Sequence, residues 1–280
     1  MAVRRRRARP FRLADVIANS VLLLVLFVAL FPVFWTFLNA FKPGVDIVAY
    51  PPRFVFEPTL DHYRSVLSQD LLTPLMNSVI VTAGSVSLAL LVGSPAGYAL
   101  SRFRAPVFKA AGLVVFAMRF LPTIVFILPV FLLFTAIGIT GTHVGLILAY
   151  QSFCLPLTIW LTWGFFSQIP RELEEAALID GCTRVGAFIR VLVPLALPGI
   201  GAAAVVTTIF SWNQFFIPLI LGGRDARVIV TEITRYAGAE DAIAQWGALA
   251  ALSSVIVLPV ILIGFVLNRY LVRGLLGSRD

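Results

Sequence analysis

Residues 16–38 read VIANSVLLLVLFVALFPVFWTFL, without one charged side chain. About 20 predominantly apolar residues suffice for a helix to cross the hydrocarbon layer. The apolar character here is continuous, not alternating as in a barrel strand. Arg4, Arg5, Arg6, Arg7, Arg9 and Arg12 stand just before the run. A cleaved leader would have a shorter apolar core followed by a small-x-small site. Neither is present, so an uncleaved anchor is expected. Outward from this stretch, residues 75–100, 107–134, 144–166, 192–221 and 246–267 are comparable. Backbone polar groups must be satisfied internally inside a bilayer, which makes each run a helix. The expected fold class is therefore all-α: a polytopic membrane protein with six transmembrane helices in one domain over residues 1–280.

Composition agrees. Hydrophobic residues make up 59% of the chain and charged residues 13%, and mean hydropathy is +0.94. Soluble domains have roughly 25% charged residues. The net charge of +8 does not indicate nucleic acid, because the basic residues flank apolar runs instead of forming a stripe on a polar domain. Cys154 and Cys182 have neither metal-ligand nor disulfide spacing. Cys154 reads as a packing residue and Cys182 as a cytosolic thiol. His62 and His143 fall near outer loops and read as solvated.

Basic residues favour the cytoplasmic side of short loops. With the N-terminus inside, the inner segments hold fifteen Lys and Arg, the outer segments six, and Arg119 lies within the third span. The bias puts both termini in the cytoplasm of a bacterial cell membrane. It makes 1–15 a basic cytoplasmic N-terminus, 39–74 and 222–245 extracytoplasmic loops, 168–191 a cytoplasmic loop and 268–280 a cytoplasmic tail. The 39–74 loop, rich in Pro and aromatics, reads as an ordered cap.

The cytoplasmic loop carries the most information. Residues 169–181 read IPRELEEAALIDG. Pro170 suits a first helical turn, and Glu172 sits near the positive end of the dipole. Leu173, Ala176, Ala177 and Asp180 have the spacing of one face, and Glu174 and Glu175 offer carboxylates to basic groups on a partner. Gly181 permits a sharp turn. From the residues alone, the segment is either a helical knob shaped for a cleft or a solvated loop helix.

Glu174-Glu175-Ala176-Ala177-Leu178-Ile179-Asp180-Gly181, followed by Phe188, Val193-Pro194-Leu195 and Pro198-Gly199, resembles the EAA loop of binding-protein-dependent ABC importer permeases. Asn77-Ser78, Gly97-Tyr98-Ala99-Leu100-Ser101-Arg102-Phe103, Arg119-Phe120-Leu121-Pro122, Ser211-Trp212-Asn213-Gln214-Phe215 and Arg269-Tyr270-Leu271-Val272-Arg273-Gly274-Leu275 are similar to the carbohydrate-uptake, maltose-transporter-like group. The resemblance implies a type I importer permease fold whose EAA loop is the coupling helix, with Glu174, Glu175, Ala176, Ala177, Asp180 and Gly181 facing a cytoplasmic ATPase. It implies a second homologous permease, two ATPase copies that bind ATP and Mg, an extracytoplasmic solute-binding protein, and a sugar, oligosaccharide or polyol as solute. Glycerol-3-phosphate uptake is a close alternative, and an integral membrane enzyme a more distant one.

No phosphate loop of the form G-x-x-x-x-G-K-[ST] occurs in the sequence, and no paired carboxylates or Ser/His/Asp set suggests catalysis. No cofactor, metal or catalytic residue is expected on this chain. For the solute path, Thr207, Ser211 and Gln214 have the spacing of one helical face, with Trp212 and Asn213 beside them. Gln151 shares a face with Cys154 and Thr158. Amides bind sugar hydroxyls and rings stack on sugars, but the same residues also bond neighbouring helices. Both readings stay open. Pro156 and Pro218 are expected to kink their helices. Arg119, at a depth where a cation costs at least about 2.5 kcal/mol, is expected to face protein or water. The Gly222-Gly223 pair is expected to give the second outer loop flexibility for docking a binding protein.

Overall fold

A computed structural model describes residues 13–68, 70–236 and 242–276. The Arg4–Arg12 cluster, Glu240, Asp241 and residues 277–280 lie outside the described residues, and of 265–276 only the backbone is described. In chain order the helices are α1 (Leu13–Ala40), α2 (Gly44–Ile47), α3 (Asp61–Ser68), α4 (Leu72–Arg102), α5 (Pro106–Met118), α6 (Thr123–Ala136), α7 (His143–Gln168), α8 (Arg171–Ile179), α9 (Arg184–Ala187), α10 (Val193–Trp212), α11 (Phe216–Leu221), α12 (Ile233–Tyr236) and α13 (Ala242–Leu276). A π-helical turn, Phe188–Leu192, joins α9 to α10, and a 3₁₀ turn, Ile229–Glu232, precedes α12.

Among the described residues, five helices are long and apolar enough to cross a membrane, and α5 with α6 makes a sixth crossing if the bent pair is one span. That pair corrects the expectation of a continuous third helix: its halves meet at 100°. Proline at position i clashes with the carbonyl at i−4. Pro122 thus disfavours continuation past Met118, where α5 ends. The fifth run is broken for the same reason. Pro218 disfavours helix at Gln214, α10 stops at Trp212, and α11 restarts at Phe216. The discontinuity therefore lies ahead of Pro218. At Pro156, α7 continues without a break. Pro194 has no N–H for the carbonyl of Arg190, and the ladder widens there into the π turn, in which Val193 N donates to Phe188 O.

The chain forms two compact units. The first comprises residues up to 66 together with 236–254. Here the chain after α1 is closely packed. The Lys42 ammonium is fully buried, 4.2 Å from the centre of the Trp35 ring. His62 Nε2 lies 2.9 Å from the Lys42 carbonyl, and Tyr63 Oη lies 2.8 Å from Ser254 Oγ on α13. Arg53 pairs with Asp46 at 2.7 Å. His62 is half-buried and bonded, not solvated.

The second unit, residues 67–235 with 255–280, is organised by α4 and α7. Small residues let the two backbones approach, as is common between membrane helices. A Cβ on Gly93 would come within 2.9 Å of Thr158, and one on Gly97 within 2.8 Å of the Trp163 backbone nitrogen. Thr162 Oγ1 donates to the Gly93 carbonyl at 3.3 Å and to Thr158 O at 2.8 Å. Leu146, Tyr150 and Cys154 of α7 pack with Ile127, Ile217, Leu221 and Val228 in one buried cluster, which gives Cys154 the packing role expected of it. At the other end of the pair, Tyr98, Phe166, Leu192 and Ala196 form a second cluster.

Gly97→Leu should separate α4 from α7, because beyond the Thr162 hydroxyl the new side chain meets the Trp163 and Ile159 backbone, which cannot move aside. Overpacking costs typically 1–3 kcal/mol. A thermal melt of the purified chain in detergent should show a clear drop in the midpoint, whereas Gly201→Ala, which meets nothing within 4 Å, should leave it unchanged.

Candidate coupling and translocation sites

The loop after α7 is a built helix–turn–helix. Pro170 caps α8 at its start. At its end, Gly181 N donates to Leu178 O at 3.1 Å and Cys182 N to Ala177 O at 3.0 Å. This pair of bonds is a Schellman motif, and it places Gly181 at φ +88°, a region costly for other residues. Thr183 Oγ1 then accepts from Gly186 N at 3.1 Å and starts α9.

The faces differ from the expected ones in an instructive way. Glu175, Ala176, Asp180 and Gly181 are exposed, and so are Leu173, Ile179, Val185 and Ile189. Ala177 and Glu174 are buried. Glu174 therefore offers nothing to a partner. Its Oε1 accepts from Tyr98 Oη at 2.6 Å and its Oε2 from Arg102 Nε at 2.9 Å. Arg102 Nη2 also donates to Ile169 O at 3.0 Å, and Arg171 Nη2 reaches back to Ser101 O and Arg102 O, each at 3.4 Å. The Tyr98 ring packs against Phe103, Phe166 and Phe188. Of the expected Leu173, Ala176, Ala177 and Asp180 face, all but Ala177 are exposed, and of the Glu-Glu pair only Glu175 presents its carboxylate there. The Arg102 guanidinium and the Tyr98 hydroxyl give both carboxylate oxygens a charge-assisted hydrogen bond.

The pathway candidates divide. Thr207 is fully buried, 3.1 Å from Thr158 Oγ1 across the α7–α10 contact. Trp212 Nε1 donates to Ile256 O of α13 at 3.0 Å, and its ring lines an apolar groove of about 550 Å³ with Val79, Val86 and Pro259. Ser211 is buried against Cys154. Gln151 Nε2 bonds Ile147 O and Ser85 O at 2.9 and 3.2 Å. Thr207, Trp212 and Gln151 bond between or within helices, and Ser211 is buried in the helix contact without a hydrogen-bond partner for its hydroxyl. Asn213 is exposed and caps α10 through Ile209 O at 2.8 Å. Because α10 ends at Trp212, Gln214 does not share a helical face with Thr207 and Ser211. It lines a cavity of about 200 Å³ with Arg119, Thr123, Ser152, Phe153 and Phe210, where the two span breaks meet. The Arg119 guanidinium stands 4.9 Å from the centre of the Trp160 ring, a cation–π contact on an exposed edge.

The 222–235 segment is not a flexible arm. Asn77 Nδ2 donates to Asp225 O and Arg227 O, both at 2.9 Å, and Asn77 Oδ1 accepts from His143 Nε2 at 2.7 Å. Ser78 Oγ accepts from Ile229 N at 2.8 Å. Buried Glu232 pairs with Arg235 at 2.9 Å and Arg227 at 3.5 Å. Gly223, at φ +55°, lies against Gly141, and a Cβ on Gly222 would come within 2.5 Å of Pro218 O. The glycines serve close packing, which corrects their reading as a flexible hinge. Among the described residues of this segment, Gly223, Arg224 and Asp225 form an exposed tip, and Thr234 and Arg235 are exposed further on. His143, read as solvated, positions Asn77.

Helices of membrane-spanning length, two of the crossings broken, with an ordered helix–turn–helix between α7 and α10, make this a polytopic membrane protein. Residues 89–277 match the family described as "binding-protein-dependent transport system inner membrane component", and the chain belongs to that family. It is 37% identical over 258 residues to a probable ABC transporter permease protein of Sinorhizobium fredii, covering 90% of this chain and 91% of that one. It is 34% identical to the trehalose transport system permease protein SugB of Mycobacterium tuberculosis, covering 90% and 92%. It is 31% identical to the diacetylchitobiose uptake system permease protein NgcG of Streptomyces coelicolor, covering 90% and 84%. Among solved structures, a bacterial ABC transporter involved in the import of the acidic polysaccharide alginate has a chain of the same fold, at TM-score 0.77 and 22% identity over 94% of this chain and 99% of that one. The chain is thus a membrane-embedded ABC importer permease with the type I fold.

Gly181→Ala should destabilise the Schellman turn by about 1–2 kcal/mol and loosen the α8–α9 angle. In the assembled transporter, uptake should fall while the chain still inserts; hydrogen exchange at Gly181 and Cys182 should rise. Gly223→Ala should perturb the Gly141 contact and lower stability by a similar amount, measurable by the same thermal melt.

Proposed function

We propose that this chain moves a sugar, oligosaccharide or polyol inward across the bacterial cytoplasmic membrane. It pairs with a second homologous permease. Two copies of a cytoplasmic ATPase bind ATP and Mg, and an extracytoplasmic solute-binding protein delivers the solute. The carbohydrate solutes named for its relatives support this class of cargo. The basic-residue bias supports cytoplasmic termini and puts α8–α9 inside the cell, where it serves as the coupling knob.

The observation that carries the reading is the exposed side of α8–α9. Leu173, Ile179 and Val185 are 42%, 86% and 67% exposed on a helix–turn–helix held rigidly from behind. Exposed apolar side chains on an ordered surface element mark a protein contact, and Glu175 beside them suits a basic groove. Ala176 on that side allows close approach. On the opposite side of the membrane, the Gly223–Asp225 tip provides a small docking surface for the binding protein. The cavity lined by Arg119 and Gln214 at the breaks of the two spans supports a solute path there, since transporter sites are typically formed by discontinuous helices.

A cysteine at Ile179 should crosslink to the ATPase in the intact complex, and Ile179→Asp should abolish uptake while the chain still inserts. An Ile179 cysteine that reacts with an impermeant thiol reagent from outside the cell, or that crosslinks to no nucleotide-hydrolysing subunit, refutes the assignment of this surface. Gln214→Ala should raise the apparent KM for the sugar in vesicle uptake, whereas Thr207→Val should change stability and leave KM unaltered.

A further inference from the structure

Both surfaces named above are tied to the same helix. At one end of α4, Asn77 binds the carbonyls of Asp225 and Arg227, and Ser78 binds the amide of Ile229. At the other end, Tyr98 and Arg102 hold the Glu174 carboxylate of α8, and Arg102 also holds the carbonyl of Ile169. α4 has 31 residues, or about 46 Å at 1.5 Å per residue. From Asn77 to Tyr98 the distance along the axis is about 32 Å, close to the thickness of the hydrocarbon layer. One helix thus carries, a membrane's width apart, the anchors of the outer tip and of the knob.

The anchors are built to transmit displacement. Arg102 and Glu174 side chains are 7% and 11% exposed, so water competes little for their charges. Tyr98 is wedged among three phenylalanines. Asn77 uses both amide hydrogens and its oxygen. Pro95 leaves the carbonyl of Leu91 without its usual donor, a point where a free helix would bend. That point is braced on both sides by the Gly93 and Gly97 contacts with α7.

We propose that α4 is the strut that couples the two docking surfaces, with Asn77 and the Tyr98–Glu174–Arg102 clasp as its positioning residues. This rests on the permease reading given under Proposed function. Docking of a loaded binding protein on the Gly223–Asp225 tip shifts the Asn77 end, and the clasp passes the shift to α8 and so to the ATPase. Glu174 acts from inside the fold and Glu175 from the surface, so the two adjacent glutamates have different tasks. A rigid element whose two ends are held is a physical route for coupling between distant sites.

The test uses the complete complex, with partner permease, ATPase and binding protein, in lipid nanodiscs. The measured quantity is the ratio of ATPase rates with and without sugar-loaded binding protein. Glu174→Gln, Tyr98→Phe and Asn77→Ala should each lower that ratio about tenfold, a typical size for coupling between sites, in complexes that still assemble. The Glu174→Gln/Asn77→Ala double variant should lose no more than the worse single variant, because both cut one connection in series. If Glu174→Gln does not assemble, Tyr98→Phe decides, since it removes one hydroxyl and keeps the ring packing. A wild-type ratio in Tyr98→Phe, or losses that multiply in the double variant, overturns the strut. A wild-type chain that binds no ATPase overturns the underlying coupling reading instead, so the two failures are separable.

Discussion

The close approach of α4 and α7 is the constraint on which the second unit depends. Between lipid-embedded helices there is no hydrophobic driving force of the kind that acts in water, so association rests on packing and on hydrogen bonds. Gly93 and Gly97 bring the backbones near enough for Thr162 to bond Gly93 O and for Thr158 to turn toward Thr207 of α10. With α4 and α7 fixed, the segments that follow each of them have surfaces to pack on. The coupling loop leaves α7 at Ile169 and is at once held by Arg102 of α4. The 222–235 segment is held by the opposite end of the same helix.

The buried charges follow from this frame. Glu174 and Glu232 are each nearly inaccessible, and each carboxylate is met by arginine. For the Glu174–Arg102 pair, buried on both sides, removing one partner is typically costly, about 3–5 kcal/mol, because the other charge is left in a poor solvent. Both glutamates thus fix a loop in one geometry and are unavailable to a partner. Acidic residues outside the spans are easily taken for contact residues; burial decides otherwise for these two.

Broken helices account for the cavity. α5 stops ahead of Pro122 and α10 ahead of Pro218, and the freed chain contributes Arg119, Leu121 and Gln214 to the wall of a cavity of about 200 Å³. Irregular backbone inside a membrane is tolerated where it is enclosed by protein or lines a water-filled space. Four of the polar residues first considered for the path, Gln151, Thr207, Ser211 and Trp212, face helix contacts. The polar character of a spanning residue identifies it as in need of a partner, without saying whether that partner is a solute or a helix.

The sequence by itself determined the membrane class, the approximate ends of four uninterrupted spans, the helical knob and its glycine stop, because each depends on local quantities: apolar length, capping chemistry and permitted φ. The resemblance carried by Glu174–Gly181 and its companions led to the same family that the comparisons establish. The tertiary structure decided which of Glu174 and Glu175 is exposed, that Tyr98 and Arg102 hold the former, that Asn77 and His143 pin a loop some 150 residues further on, and that the third and fifth runs are broken. These depend on which helices meet. A residue's partner 70 or 150 positions away is set by packing geometry, and periodicity within one helix contains no information about it.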